Sequence, residues 1–165
     1  MTDTTPTAGR LWKRMTFEQR HRAALVFWRD ETAAADLAQA VQLIAKHKKF
    51  RPKTVAGLDG EGKARHLASV PTLPDALVTR VLVLYHLAAQ RPMMGAFLDA
   101  LGIAHENGLI QEEGTVTPDA AKIGPAVAAI AQQYPAADVS IYLNTLLCQD
   151  PETWGALQGL PELPA

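Results

Sequence analysis

Cysteine is almost absent from this chain. Cys148 stands alone among 165 residues, so no disulfide can form within the chain. A reducing compartment, the cytoplasm, is the corresponding expectation. Serine is nearly as scarce. Ser69 and Ser140 are the only two, and neither lies in the Gly-x-Ser-x-Gly setting of a nucleophile elbow. With one cysteine there is no cysteine-rich zinc site, and the five histidines include no His-Glu-x-x-His pair. No metal and no cofactor is therefore expected. No apolar run reaches the length of a membrane span. The opening MTDTTPTAGR is polar and no apolar stretch follows it, so neither a signal peptide nor a membrane partner is expected.

Charge is divided unevenly along the chain. Residues 1–53 hold 11 Lys and Arg against five acids, whereas the remainder holds five against 12. The net charge of −1 hides this division. One reading is internal: the two parts carry complementary surfaces. The other is a basic patch for an acidic partner. The densest run is Lys46, Lys48, Lys49, Arg51 and Lys53, the candidate partner-binding residues. Cations at the end of a helix also complement its negative pole, which explains part of the cluster without any partner.

What the chain has in plenty is Ala, Leu and Val at helical spacing, punctuated by Pro, Thr and Asp. The clearest stretch is Thr72–Ile110. Leu77, Val81, Leu84, Tyr85 and Ala88 share one helical face, and Pro92 ends that helix and opens the next. Met93, Phe97, Leu98 and Leu101 make the second stripe, with Gly102 suited to a left-handed C-terminal position. Elsewhere Thr16-Phe17-Glu18-Gln19 has capping-box spacing before a helix over 17–29. A second helix spans 32–49, a short one 61–69, and others start near Thr117-Pro118-Asp119, Pro135 and Asp150-Pro151. Pro125 predicts a kink or a late start in the first of these. Gly57, Gly60 and Gly62 do not form a phosphate loop, because the Gly-x-x-x-x-Gly-Lys pattern and a preceding strand are both lacking.

These signals predict an all-α fold, a bundle of about six to eight short helices arranged largely as hairpins. Residues 1–9 are expected to be a disordered tail and residues 10–165 a single helical domain. Pro74-Asp75-Ala76 recurs as Pro118-Asp119-Ala120, and Gln90-Arg91-Pro92 as Gln133-Tyr134-Pro135, so hairpins 72–103 and 117–148 are candidates for a duplication. The pattern lacks the signature residues of tetratricopeptide or ankyrin repeats. Leu84, Phe97, Leu98 and Tyr142 are expected to share one core. Ile103 and Ile110 are expected to be buried around a polar turn tip at Glu106 and Asn107.

Three functions compete on these grounds. The leading one is a non-catalytic helical interaction or scaffold protein, with a protein partner or self-association. The second is a nucleic-acid-binding accessory protein that uses the basic first third, where Trp12, Trp28 and Phe50 interleave with cations. The third is an enzyme with a His86, His105 and Glu106 cluster, which requires the turn to fold back over the first helix of the hairpin, the one that carries His86. The balance leans against an enzyme, because no nucleophile or metal motif accompanies those residues.

Overall fold

Helix punctuation decides most of the architecture. In the computed structural model, which describes residues 6–110 and 116–163, the all-α expectation holds. Ten α-helices are present among the described residues: α1 (Ala8–Arg14), α2 (Phe17–Arg29), α3 (Ala34–Lys48), α4 (Pro52–Ala56), α5 (Gly60–Ser69), α6 (Asp75–Ala89), α7 (Arg91–Leu101), α8 (Ala120–Gln133), α9 (Ala136–Gln149) and α10 (Pro151–Trp154). The number exceeds six to eight because α1 and α4, of seven and five residues, were not expected. Thr7 caps α1, so Ala8 and Gly9 are helical rather than part of the expected tail. Residues 1–5 lie outside the described set.

The chain divides into two compact units, Thr7–Ala88 and a second that takes in Ala89–Ala165. In the first unit, α2 packs most closely on α5. Small side chains allow it: Ala23 and Ala24 on one helix and Ala64 and Ala68 on the other have no solvent exposure. Phe27, Ile44 and Leu67 fill the space beside them. Trp12 is fully buried and donates its indole N–H to the Val70 carbonyl at 2.9 Å. Arg20 then ties the ends of the neighbouring helices, donating to Trp12 O at 2.7 Å, Lys13 O at 2.7 Å and Ala68 O at 3.3 Å. The capping box of α2 forms as its sequence predicts: the Thr16 hydroxyl accepts from Gln19 N–H and the Gln19 side chain accepts from Thr16 N–H.

In the second unit, α7 lies against α8, and α9 and α10 complete the core. Phe97 is its centre. The ring meets Tyr142 edge-on at 5.8 Å and Trp154 at 5.8 Å in a tilted arrangement. Leu98, Val127, Ile130 and Leu143 are buried in the same unit. The helix after Thr117 starts later than that residue suggested. Asp119 is the cap, accepting from Ala121 N–H at 3.0 Å, because its carboxylate reaches the free amides of the first turn. Pro125 stays within a continuous α8.

One expectation about packing is corrected. Leu84 does not share the Phe97 core. It belongs to the first unit, where it is half-buried beside a groove. The two candidate hairpins also differ in setting. Helices α8 and α9 fall within one unit, whereas the division between units falls at the end of α6, separating it from α7. The recurring Pro-Asp-Ala and Gln-x-Pro signals mark helix starts in both places.

Replacing Phe97 by Ala is expected to destabilise the second unit by about 3–5 kcal/mol, read by urea unfolding, since it removes an aromatic with no solvent exposure and leaves a cavity. A loss below about half a kcal/mol would place the ring outside the core.

Candidate interaction surface

The five candidate cations gather where α3 ends and α4 begins. Helix α3 stops because Lys49 turns left-handed, with φ 59° and ψ 36°, and the N–H groups of Lys49 and Phe50 both close on the Ala45 carbonyl. Pro52 cannot continue α3 but suits the first turn of α4. Between them the chain makes a tight corner of Lys49, Phe50 and Arg51. Lys46, Lys49, Arg51 and Lys53 are exposed and Lys48 is half-buried. Phe50, which these cations flank in sequence, remains 42% exposed, with the His66 ring edge-on at 5.6 Å. Among the described residues, none of the five cations pairs with a carboxylate.

The aromatic interleaving does not survive as a stacking platform. Trp12 is in the core. Trp28 is half-buried, with the Lys63 ammonium 5.5 Å from its ring centre. Phe50 alone of the three is open to solvent. Sequence spacing suggested all three because it does not distinguish an aromatic that anchors a short unexpected helix from one that faces outward.

A second feature of the first unit is an open groove of about 390 Å³ lined by Val26, Arg29 and Asp30 from the end of α2 and by Leu84, Leu87 and Ala88 from the end of α6. Its carboxylate is already committed: the Thr32 hydroxyl and backbone N–H hold the Asp30 carboxyl below the usual range. Exposed Arg29 is the cation at its edge.

The histidine cluster is distributed over both units. His86 lies on α6 in the first, almost fully buried, and burial pushes its imidazole down to about 4, so it is neutral near pH 7. His105 and Glu106 lie in the second. Here the sequence reading missed a β-hairpin. β1 (His105–Glu106) pairs antiparallel with β2 (Leu109–Ile110), and Asn107 and Gly108 make the two-residue turn with φ 52° and 88°. The Asn-Gly dipeptide was the available signal.

His105 is the clasp of this hairpin. Its Nε2 is 2.7 Å from Asp99 Oδ1, and its Nδ1 accepts the Gly108 N–H at 3.0 Å. That bond assigns the tautomer: Nδ1 is the acceptor and Nε2–H donates to the carboxylate. Both ring nitrogens are thereby engaged, leaving no lone pair for a metal or a proton transfer in this arrangement. The ring also lies against α7, where a Cβ on Gly95 would come within 3.2 Å of it. Arg91 completes the clasp by donating to Asn107 O at 2.9 Å. Glu106 and Asn107 are exposed as expected. Ile103 and Ile110 are only half-buried, because polar contacts of His105 and Arg91 hold the turn in place of the apolar anchors expected. Among the described residues no group of three His, Cys, Asp or Glu side chains could hold a metal ion. No helix among them is long and apolar enough to cross a membrane. No protein-family model, curated protein or solved structure matches the chain.

Two outcomes follow from the histidines. The depressed His86 makes the unfolded chain bind the extra proton first, so stability is complete above about pH 6.5 and falls as the pH drops toward about 4. The expected loss over that window is about 3 kcal/mol in urea melts, and it should vanish in His86→Leu. At the clasp, Gly108→Val is expected to lower the thermal midpoint more than His105→Ala. A Cβ there would lie 2.9 Å from Met94 Cβ and 3.2 Å from Arg91 O, on a backbone with φ 88°. Equal melts for Gly108→Val and the parent protein would remove the constraint argued for this turn.

Proposed function

We propose that the chain is a non-catalytic interaction protein whose first unit docks on an acidic partner protein through the corner between α3 and α4. The observation that carries this reading is the set of five cations gathered around Phe50 with no described carboxylate paired to them. Dipole complementation explains Lys46 and Lys48, which lie in the last turn of α3. It does not explain Arg51, which stands at the N-terminal cap of α4, where a helix favours acids. Lys49 adds a second point. It occupies a left-handed position where Gly or Asn is the easier residue. An open aromatic flanked in sequence by exposed cations suits a protein surface that offers acids around an apolar spot. A single-stranded nucleic acid asks for several stacking rings, and Trp12 and Trp28 do not supply them. The reading includes a reducing, cytoplasmic setting, which the lone Cys148 favours.

Lys49→Gly separates the two roles of that residue. It is expected to raise stability by up to about 1 kcal/mol while weakening capture of the partner. Affinity capture from cell extract, with the captured protein identified, is the test. An acidic protein should be retained by the parent chain, lost as salt rises, and lost in the Lys46→Glu, Lys48→Glu, Lys49→Glu variant. Capture that ignores both salt and the triple reversal would overturn the proposal, and capture of nucleic acid alone would favour the second reading.

A further inference from the structure

The division of charge follows the division into units more closely than it follows the first third of the sequence. Thr7–Ala88 holds 14 Lys and Arg against seven Asp and Glu, and Ala89–Ala165 holds two against nine. The surpluses are equal in size and opposite in sign. Within the first unit, four of the seven acids are held by groups away from the corner. Asp36 faces Arg80 at 3.5 Å, and Glu61 lies 3.0 Å from His21 Nε2 and 3.3 Å from Arg65. Asp59 caps α5 through Gly62 N–H at 2.7 Å, and Asp75 accepts Gly9 N–H at 2.8 Å. In the second unit only Arg91 and Lys122 are basic, and Arg91 is spent on the turn at Asn107. Its carboxylates at Glu106 and Glu152 are exposed.

We infer that the partner of the basic corner is the acidic unit of a second copy of this chain. This rests on the reading of the corner as a docking surface and names what docks there. The argument is the balance of the whole chain. A partner that is acidic throughout would be drawn to the first unit but repelled by the second, which is linked to it. A second copy offers both signs in matching amounts, so each basic surplus meets an acidic one. A two-fold pair forms both contacts at once and is a closed assembly. The attraction is between exposed charges, so it must weaken as the screening length shortens.

The experiment is sedimentation equilibrium of the full chain at about 20 mM and about 300 mM salt, where screening lengths differ several-fold. The expected result is a dimer whose dissociation constant rises by about tenfold or more at the higher salt. Two variants, checked for fold by circular dichroism, carry the assignment. Lys46→Glu, Lys48→Glu, Lys49→Glu removes the basic surface, and Glu106→Lys, Glu152→Lys weakens the acidic one. Each alone should be mainly monomeric. Mixed, they should pair, because the intact acidic unit of the first meets the intact basic corner of the second. A parent chain that is monomeric at both salts, a dimer insensitive to salt, or variants that dimerise as well alone as mixed would each overturn the inference. Salt-dependent capture of a different acidic protein by a monomeric chain would overturn self-pairing yet leave the docking corner standing. Monomer together with no charge-dependent capture would remove both.

Discussion

The close seating of α2 on α5 is the contact on which the first unit depends. Helices α2 and α5 pack closely, and Ala23, Ala24, Ala64 and Ala68 on them have no solvent exposure, so a larger side chain at these positions would need room the core does not have. Around that seam the remaining parts are tied by polar bonds from side chains that look, in sequence, like surface charge. Arg20 spans three carbonyls, and the Asp75 carboxylate holds the Gly9 amide at the start of α1. Helix α3 lies against both α4 and α5, so its basic end has a fixed support. The corner of Lys49, Phe50 and Arg51 is thus a shaped feature rather than a loose tail. Shape matters for recognition, because a backbone already fixed loses no further freedom when a partner arrives.

The second unit reaches order differently. Its core is aromatic, with Phe97 between Tyr142 and Trp154, and its hairpin is held by polar groups. His105 shows how a residue that resembles a catalytic candidate can be consumed by structure. A histidine beside an aspartate is the arrangement used to orient a catalytic base, but a base needs its second nitrogen free. Here that nitrogen receives the Gly108 amide. Both ring nitrogens of His105 are thus engaged within the hairpin.

Much of the fold was legible in the sequence because helix ends are chemically loud. The Thr16 and Gln19 capping box, Pro92 at a helix start, and Gly102 in a left-handed C-terminal position all appear where local chemistry requires them. Short helices were quieter. Helix α1 has no long apolar stripe and exists because Trp12 and Ala8 are buried and Thr7 caps it. The division between units was illegible, since Pro92 opens a helix whichever unit it joins. So was the membership of Leu84, which periodicity places on the core face of α6 although the chain beyond Ala88 belongs elsewhere. At the candidate surface, the cations were evident and their exposure was not. Phe50, Trp12 and Trp28 look alike in sequence, and only packing separates the one left open.

The central claim is that the cations of the corner serve association rather than the fold. Their contribution to stability tests it most directly. Neutralising Lys46, Lys48 and Lys49 together to Gln removes the charge without adding a repulsive one at the helix end. Chemical unfolding at low salt, under conditions where the chain is monomeric, should then show a change of about 1 kcal/mol or less, the scale of exposed charges at a helix terminus. A loss of about 3 kcal/mol or more would contradict the account, because it would make the cluster part of what holds the first unit together.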